Sequence, residues 1–164
     1  EVSFLLKFLK TSIQDELQEL IEEGVKLKFL GDLSEFNSKL IDIIQEAESK
    51  TAKNHRIQLN VMLNYGGRRE IIDSFKTYVS NGGEIDALNE DALSQEMYTK
   101  DIQDPDILIR TGGDFRISNF MLWQCAYSEL FFLDTFWPDF DISHLLKVIK
   151  EFQSRDRRFG GLSS

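Results

Sequence analysis

The sequence has little that would cross-link or interrupt a folded chain. Its 164 residues include one cysteine and two prolines. The single cysteine, Cys125, cannot form a disulfide within the chain, so the fold has to be stable without cross-links, as in proteins of reducing compartments. With 41 % hydrophobic and 29 % charged residues, the composition excludes a disordered or low-complexity chain. We therefore expect an intracellular protein with a sizeable buried core.

Positive charge is also scarce, and long apolar runs are absent. There are 19 Lys and Arg residues against 28 Asp and Glu residues, which gives a formal net charge of -9. This balance disfavours a surface that wraps a phosphodiester backbone, so no nucleic-acid partner is predicted. The most apolar stretch, residues 128–140, contains three carboxylates and is shorter than the roughly 20 residues of a spanning helix. The sequence predicts at most peripheral contact with a membrane.

Apolar residues alternate along the chain between helical and strand spacing. Spacings of three and four residues predict helices at residues 2–21, 36–47, 69–79, 90–98, 117–127 and 142–152. Short apolar runs predict strands at residues 25–30, 57–63, 107–109 and 130–133. Ser34 is the expected cap of the second helix, and the helix at 117–127 is expected to be largely buried. This alternation predicts a single α/β domain over residues 1–164, with a largely parallel central sheet flanked by helices.

Two glycine-containing segments directly follow predicted strands. In open parallel sheets, ligands bind beyond the carboxyl ends of the strands, where loops lead into helices with free N–H groups. In the first segment, residues 63–69, the paired Gly66 and Gly67 would let the backbone approach a ligand closely. A structural tight turn explains these two glycines equally well.

The second segment, residues 104–119, brings two arginines and a hydroxyl together. Arg110 ends an apolar strand, where an uncompensated guanidinium is costly, so it needs an anion such as Asp106 or Asp114 nearby. Arg116 and Ser118 flank a predicted helix start, and they are donors suited to a multiply charged oxyanion such as a diphosphate. Internal ion pairing is the competing explanation.

Residues 115–140 are rich in aromatic side chains, most of which are expected in the core. Glu129 interrupts this stretch, and its carboxylate is either paired with a nearby arginine or held for a metal ion or a proton. His55 and His144 have no partner at metal-ligand spacing, so no zinc site is predicted. Cys125, inside the predicted buried helix, is expected to be a small core residue and not a nucleophile.

Five motifs occur in the order of a known family over nearly the whole chain. They are Asn64-Tyr65-Gly66-Gly67-Arg68, Ile109-Arg110-Thr111-Gly112-Gly113, Arg116-Ile117-Ser118-Asn119-Phe120, Trp137-Pro138-Asp139-Phe140 and Arg157-Arg158-Phe159-Gly160-Gly161. The set resembles the cis-prenyltransferases, and in particular the bacterial undecaprenyl diphosphate synthases.

The resemblance implies an enzyme that uses Mg²⁺ and makes a polyprenyl diphosphate resembling undecaprenyl diphosphate, a lipid carrier of cell-wall synthesis. Members of this family add isopentenyl diphosphate, with Z geometry, to an allylic diphosphate such as farnesyl diphosphate. By resemblance, Arg110, Arg116 and Ser118 bind the diphosphate of isopentenyl diphosphate, and Glu129 binds Mg²⁺. Three further residues are expected near the site on the same ground: Asn64, Arg68 and Asp114. Asp114 stands where the bacterial enzymes usually carry Glu.

The resemblance also implies a cytoplasmic homodimer. In the family, the C-terminal segment reaches toward the partner's site, which here assigns substrate binding from the partner subunit to Arg158, Gly160 and Gly161. The helix at residues 2–21 resembles the family element that lines the tunnel for the growing chain.

One block of the family has no counterpart in this sequence. It holds an Asp-Gly-Asn-Gly-Arg-Trp phosphate loop, whose aspartate binds Mg²⁺ and acts in catalysis. Because the chain starts at Glu1 without a methionine, we expect residues to precede it. Residues 1–164 are then the C-terminal two thirds of the catalytic domain and inactive alone.

Two other functions remain open at this point. A non-catalytic partner subunit of a cis-prenyltransferase would also lack the aspartate. An anion-binding α/β module without chemistry would explain the donor cluster alone. The joint presence of Arg110, Arg116 and Ser118 favours the enzyme, because a scaffold has no physical reason to keep all three.

Overall fold

The computed structural model describes residues 2–155, and of residues 2–7 it describes the backbone only. The chain divides into two compact units between Tyr65 and Gly66. The first unit contains, in chain order, α1 (Val2–Glu22), β1 (Val25–Leu30), α2 (Ser38–Thr51) and β2 (Ile57–Met62). The second contains α3 (Gly67–Ser80), α4 (Glu90–Ser94), β3 (Ile107–Thr111), β4 (Glu129–Leu133) and α5 (Ile142–Ser154). Single turns of 3₁₀ helix occur at Ile85–Ala87 and Trp137–Asp139.

The first unit is built on a parallel pair of strands. β1 and β2 pair in register from Val25 opposite Ile57 to Leu30 opposite Met62. Apolar side chains from α1, β1 and α2 form its core, because only burial against one another removes these apolar stripes from water. The buried residues of this core are Ile13, Leu27, Phe29, Leu40, Ile44 and Ala47.

The residue that caps α2 is Asn37 and not the predicted Ser34. The side-chain oxygen of Asn37 accepts a hydrogen bond from the Leu40 N–H at 3.0 Å. Ser34 lies in the preceding turn and bonds to Asp32, so the prediction that Ser34 caps this helix is wrong. Both residues are good cap formers, and the position at which the backbone becomes helical decides between them.

The strands β1 and β2 end side by side, which explains a glycine after β1. The Leu63 N–H donates to the Leu30 carbonyl at 2.8 Å. Gly31 has a φ of 127°, and a Cβ there would lie 1.9 Å from the Leu63 carbonyl oxygen. Only glycine fits so close an approach in this conformation. Asn64, directly after β2, donates from Nδ2 to the Asp32 carbonyl at 3.1 Å.

The second unit is also built on a parallel pair of strands. β3 and β4 pair in register from Ile107 opposite Glu129 to Thr111 opposite Leu133. α5 follows β4 and is capped by Asp141, whose carboxylate accepts the N–H groups of Ser143 and His144. Hydrogen bonds from Ser143 and His144 hold the pKa of the Asp141 carboxyl well below its usual range. His144 therefore has a capping role at the start of α5.

The α/β class and the parallel pairing of the strands are confirmed. Within residues 2–155 the four strands form two separate two-stranded sheets, β1 with β2 and β3 with β4. The single domain over residues 1–164 stays a prediction. Among the helices of these residues, none combines the length and the apolar character that crossing a membrane requires.

The prediction of a buried helix at residues 117–127 is wrong. This segment forms a series of turns, and Ser118, Asn119 and Met121 have positive φ values of 47°, 65° and 45°. An α-helix cannot pass through residues in the left-handed region. The apolar spacing of this segment therefore does not reflect a helix face.

The expectation that most aromatic residues of 115–140 lie in the core is also wrong. Of the nine aromatic residues in this stretch only Phe131 is buried, and four are more than half exposed, which decides against a core position for most of them. The four are Phe115 at 77 %, Tyr127 at 69 %, Phe136 at 67 % and Trp137 at 73 %.

Candidate functional site

Two arginines share one carboxylate beyond the end of β3. Arg110 is the second-to-last residue of β3 and donates from Nη2 to Oδ2 of Asp114 at 2.7 Å. Arg116 donates from Nη2 to the same oxygen at 2.6 Å. Of the two carboxylates considered from sequence, Asp114 thus serves as the counter-ion of Arg110. Because one carboxylate faces two guanidinium groups, the cluster keeps a net positive charge.

Ser118 joins this cluster through Arg110. Nη1 of Arg110 donates to Oγ of Ser118 at 2.7 Å and to the Arg116 carbonyl at 2.6 Å. Arg110 is largely covered, with 24 % of its side chain exposed, whereas 65 % of the Arg116 side chain is exposed. The structure brings together the three residues that the sequence predicted to bind a diphosphate. We call Arg110, Asp114, Arg116 and Ser118 the arginine cluster.

A cavity of about 320 Å³ lies beside the arginine cluster. Arg110 and Ser118 line it together with the apolar side chains of Leu108, Ile117 and Phe120. Charged donors next to an apolar wall suit a ligand with an anionic head and a hydrocarbon tail.

The backbone N–H groups that follow Gly66 are bonded to another part of the protein. This observation decides between a ligand-binding loop and a structural tight turn, the two explanations for the paired glycines. The Gly67 N–H donates to the Asn119 carbonyl at 2.8 Å, and the Arg68 N–H donates to Oδ1 of Asn119 at 2.9 Å. These N–H groups at the start of α3 are the ones that a phosphate loop would offer to a ligand. The structural explanation therefore holds in this state, and Asn119 caps α3 from another part of the unit.

Asn64 and Arg68 lie in different units. Asn64 is the second-to-last residue of the first unit, where it bonds to the Asp32 carbonyl and, at 3.5 Å, to Glu35. Arg68 lies in the first turn of α3 with an exposed side chain. Their expected closeness to the substrate stays a prediction.

Glu129, the predicted Mg²⁺ ligand, is paired with an arginine. Its Oε2 accepts from Nη1 of Arg155 at 2.7 Å. Arg155 also bonds to Glu151 and lies 4.2 Å from the centre of the Phe131 ring. Hydrogen bonds from Arg155 to Glu129 and then to Glu151 raise the pKa of the Arg155 guanidinium. Of the two alternatives for this carboxylate, the structure contains the ion pair.

The residues that are described do not fit a magnesium site by themselves. Mg²⁺ takes oxygen ligands in an octahedral arrangement, commonly one or two carboxylates with waters and phosphates. Within residues 2–155 there is no group of three or more His, Cys, Asp or Glu side chains placed to hold a metal ion. Glu129 offers one carboxylate, and a guanidinium already bonds to it.

Comparison with known proteins identifies the family. Residues 1–160 match the family model described as "Putative undecaprenyl diphosphate synthase". The chain belongs to the cis-prenyltransferase family. An isoprenyl transferase of Prochlorococcus marinus subsp. pastoris is 44 % identical over 168 residues, with 100 % of this chain and 62 % of that protein covered. An isoprenyl transferase of Bacillus subtilis is 43 % identical over 166 residues, with 99 % of this chain and 64 % of that protein covered.

Solved structures of cis-prenyltransferases support the fold. A crystal structure of a probable undecaprenyl diphosphate synthase from Campylobacter jejuni matches with a TM-score of 0.88 and 34 % identity, covering 98 % of this chain and 74 % of that one. The lavandulyl diphosphate synthase of Lavandula x intermedia, in complex with dimethylallyl diphosphate, matches with a TM-score of 0.90 and 30 % identity, covering 98 % of this chain and 71 % of that one. The chain spans less than two thirds of the length of the two isoprenyl transferases.

Three of the predicted site residues lie outside the part of the chain that is described. These are Arg158, Gly160 and Gly161, which fall beyond residue 155. Their assignment to a partner's site in a cis-prenyltransferase dimer therefore stays a prediction.

Cys125 is partly exposed and lies in the turns that replace the predicted helix. Its expected position inside a buried helix is thus wrong. Burial raises the pKa of its thiol, and a raised pKa disfavours the thiolate that a nucleophile needs.

Sequence reasoning missed two residues that organise the unit around the arginine cluster. Asn119 caps α3 by accepting the N–H of Arg68, which lies 51 residues earlier in the chain. Glu70, in the first turn of α3, is buried and accepts from Gln124 at 3.0 Å and from the Tyr98 N–H at 3.1 Å. The signal for Asn119 was its residue type, since asparagine is favoured both as a cap and at positive φ. No local pattern marks Glu70 as buried.

Proposed function

We propose that the protein to which this chain belongs performs cis-prenyl chain elongation, condensing isopentenyl diphosphate onto an allylic diphosphate such as farnesyl diphosphate. The product is a polyprenyl diphosphate resembling undecaprenyl diphosphate. The observation that carries this proposal is the convergence of Arg110, Arg116 and Ser118 beside an apolar-walled cavity. The family supports the class of reaction.

The arginine cluster supplies the donors that a diphosphate needs. Arg110 uses Nη1 for Ser118 and the Arg116 carbonyl and one N–H of Nη2 for Asp114, so its Nε–H and its second Nη2–H remain for phosphate oxygens. Arg116 uses one N–H for Asp114 and keeps its others for the same purpose. Ser118 accepts from Arg110 through its oxygen and can therefore donate its own hydrogen to a ligand.

Asp114 holds the guanidinium groups of the two arginines in place before a ligand binds. By accepting from both guanidinium groups through one oxygen, it holds them near each other although both are positive. A diphosphate that arrives finds the donors already oriented, which lowers the entropic cost of binding. Asp114 is in our proposal a residue near the site and not a ligand of the substrate.

The apolar side chains that line the cavity would orient the bound substrate. With the diphosphate held at Arg110 and Ser118, the short hydrocarbon part of isopentenyl diphosphate would lie against Leu108, Ile117 and Phe120. Holding the substrate at both ends places its alkene for attack on the allylic carbon. Bringing two reactants into this geometry accounts for a large part of the activation barrier in solution, and binding at the site would lower that part.

We further propose that the complete protein uses Mg²⁺, with Glu129 as one ligand. Bound Mg²⁺ would neutralise the charge on the departing diphosphate. Because the described residues do not fit the ion by themselves, the other ligands would have to come from elsewhere, and this part of the proposal rests on the family.

The same family argument extends to partners and location. We propose a homodimer, to which Arg158, Gly160 and Gly161 contribute across the interface. The exposed aromatic residues of the second unit support this proposal, because apolar surface of this kind commonly marks an interface. A cytoplasmic protein with at most peripheral membrane contact fits the family and the single cysteine.

Calorimetric titration with isopentenyl diphosphate tests the assignment of the arginine cluster. We expect Arg110→Ala to lose about 2–4 kcal/mol of binding free energy, since truncating one partner of a largely covered charge pair costs this much. The loss corresponds to an increase in Kd of about 30- to 900-fold. Arg56→Ala, which removes an exposed arginine of the first unit, is the matched control and should bind as the wild type does.

Two outcomes would contradict the proposal. Unchanged affinity in Arg110→Ala would show that the cluster does not bind the substrate. Equal affinities for isopentenyl diphosphate and inorganic diphosphate would mean that the apolar wall contributes nothing, as expected of a simple anion-binding module.

A further inference from the structure

Helix α3 and the segment that carries Ser118 are joined by hydrogen bonds at two places. We call residues 118–124 the Ser118 segment. At its start, Asn119 accepts the N–H groups of Gly67 and Arg68 through its backbone and side-chain oxygens. At its end, Nε2 of Gln124 donates to the buried carboxylate of Glu70 and to Oγ1 of Thr99. Both anchors on α3 belong to its first turn.

These anchors hold a backbone that the segment would not adopt alone. Ser118, Asn119 and Met121 all have positive φ values. A residue other than glycine in this region costs of order 1–3 kcal/mol and persists only when its surroundings fix it. The first turn of α3 provides those surroundings, so the conformation of the segment depends on contacts with α3.

The contact between the first turn of α3 and the Ser118 segment, which we call the joint, is closely packed at Gly67. A Cβ on Gly67 would lie 2.9 Å from Cγ of Leu122 and 3.2 Å from the Asn119 carbonyl oxygen. A Cβ on Gly66 would lie 3.0 Å from Nδ2 of Asn119. The two glycines let the Ser118 segment seat directly on the helix start.

The arginine cluster depends on the conformation of this segment. Nη1 of Arg110 is bonded both to Oγ of Ser118 and to the Arg116 carbonyl. Ser118 is the immediate neighbour of Asn119, so a change in the Asn119 backbone displaces the Ser118 hydroxyl. Hydrogen bonds weaken steeply with distance and angle, and Arg110 would lose its fixed orientation.

We infer that Asn119 is a positioning residue for isopentenyl diphosphate binding: by capping α3 with its side chain, it fixes Ser118 and, through Ser118, the guanidinium of Arg110. The inference rests on the proposed function, since it names the residue that preorganises the same site. The hydrogen bonds of Asn119 go to the N–H groups of Gly67 and Arg68, and its effect on Arg110 runs through Ser118.

The test compares isopentenyl diphosphate binding by the full chain and its variants in calorimetry. Asn119→Gly removes the capping side chain at a φ of 65°, which glycine adopts without strain. Asn119→Asp keeps an oxygen acceptor for the Arg68 N–H and also tolerates positive φ. Asn37→Gly deletes the cap of α2 in the first unit and is the matched control.

We expect Asn119→Gly to raise the Kd by about 10-fold or more, equal to about 1.4 kcal/mol. Asn119→Asp should return it to within about threefold of the wild type, and Asn37→Gly should leave it unchanged. The effect of Asn119→Gly should nearly vanish in a Ser118→Ala background, because both changes act on the same contact. A general loss of stability would instead lower binding equally in both backgrounds.

The outcomes separate this inference from the proposed function. If Arg110→Ala binds isopentenyl diphosphate as the wild type does, the proposed function fails. If Arg110→Ala weakens binding while Asn119→Gly does not, the positioning role is overturned and the proposed function stands. If Asn119→Gly does not fold, Asn119→Ser carries the same comparison, and wild-type affinity in that shortened variant would likewise overturn the inference.

Discussion

Asp114 and Glu129 are both acidic residues paired with arginine, and the two pairs leave different chemistry available. Asp114 divides one oxygen between Arg110 and Arg116, so both guanidinium groups keep N–H groups for another acceptor. Arg155, by contrast, is bonded to Glu129 and Glu151 and covers the ring of Phe131. The first arrangement suits ligand binding, and the second suits holding the end of α5 against β4.

The Glu129–Arg155 pair should therefore contribute to stability. We expect Arg155→Met and Glu129→Gln each to lower the thermal unfolding midpoint, because each leaves the other group partly buried without its partner. The double variant should lose less than the sum of the two, since both changes remove one interaction. Differential scanning calorimetry measures all three midpoints.

The control for the single and double variants of Glu129 and Arg155 is an ion pair of the first unit. Arg56 and Glu23 are 71 % and 60 % exposed, and exposed pairs contribute about 0–1 kcal/mol. Arg56→Met should change the midpoint little. Strictly additive effects at Glu129 and Arg155 would show that the pair is not coupled in solution.

At the scale of elements, the start of α3 determines what the neighbouring segment can do. A helix start has free N–H groups, and here Asn119 of a distant segment takes two of them. Gly67, buried in this joint, is the position where helix propensity and packing oppose each other.

We expect Gly67→Ala to destabilise the protein. Alanine gains up to about 1 kcal/mol in helix propensity. The added Cβ, however, would lie 2.9 Å from Cγ of Leu122 and 3.0 Å from the Leu122 nitrogen, and overpacking of this kind costs typically about 1–3 kcal/mol. Urea unfolding measures the balance, with the exposed Lys76→Ala on the same helix as control. A Gly67→Ala protein as stable as the wild type would mean that the backbone at Leu122 can move to make room for the added methyl group.

At the scale of the whole molecule, the second unit carries exposed aromatic residues that its own core does not use. Phe115, Tyr127, Phe136 and Trp137 are all mainly exposed. Apolar surface rimmed by polar residues marks interaction sites in soluble proteins, and two-fold dimers are the commonest assemblies.

We predict a dimer in sedimentation velocity at roughly 50 μM, above the dissociation constant expected for an interface of standard size. Trp137→Asp should shift the equilibrium toward monomer, because it places an unpaired charge in an apolar interface. Ile85→Asp changes another exposed apolar residue of the same unit, 67 % exposed, outside residues 115–140, and should leave the dimer intact. A wild-type protein that sediments only as a monomer would contradict the prediction.

Sequence patterns predicted the regular elements because those elements follow from local periodicity. The strands at 25–30 and 107–109 and the helix at 142–152 agree with β1, β3 and α5 within a few residues, since side-chain alternation and 3.6-residue spacing are properties of short segments. The same reasoning gave Arg110, Arg116 and Ser118 as one donor group. A guanidinium at the end of a buried strand needs a partner, and its partner Asp114 lies four residues away.

Tertiary structure decided whatever depends on residues far apart in the chain. The apolar spacing of 117–127 is compatible with a helix, but Asn119 bonds to a helix start 51 residues away and Gln124 bonds to Glu70, 54 residues away, so the segment forms turns. Likewise Glu129, open from sequence to a metal or an arginine, is paired with Arg155 across 26 residues. Local spacing fixes which elements form, because each depends on neighbouring side chains, whereas the partner of a polar group is fixed only when folding brings distant backbone and charge together.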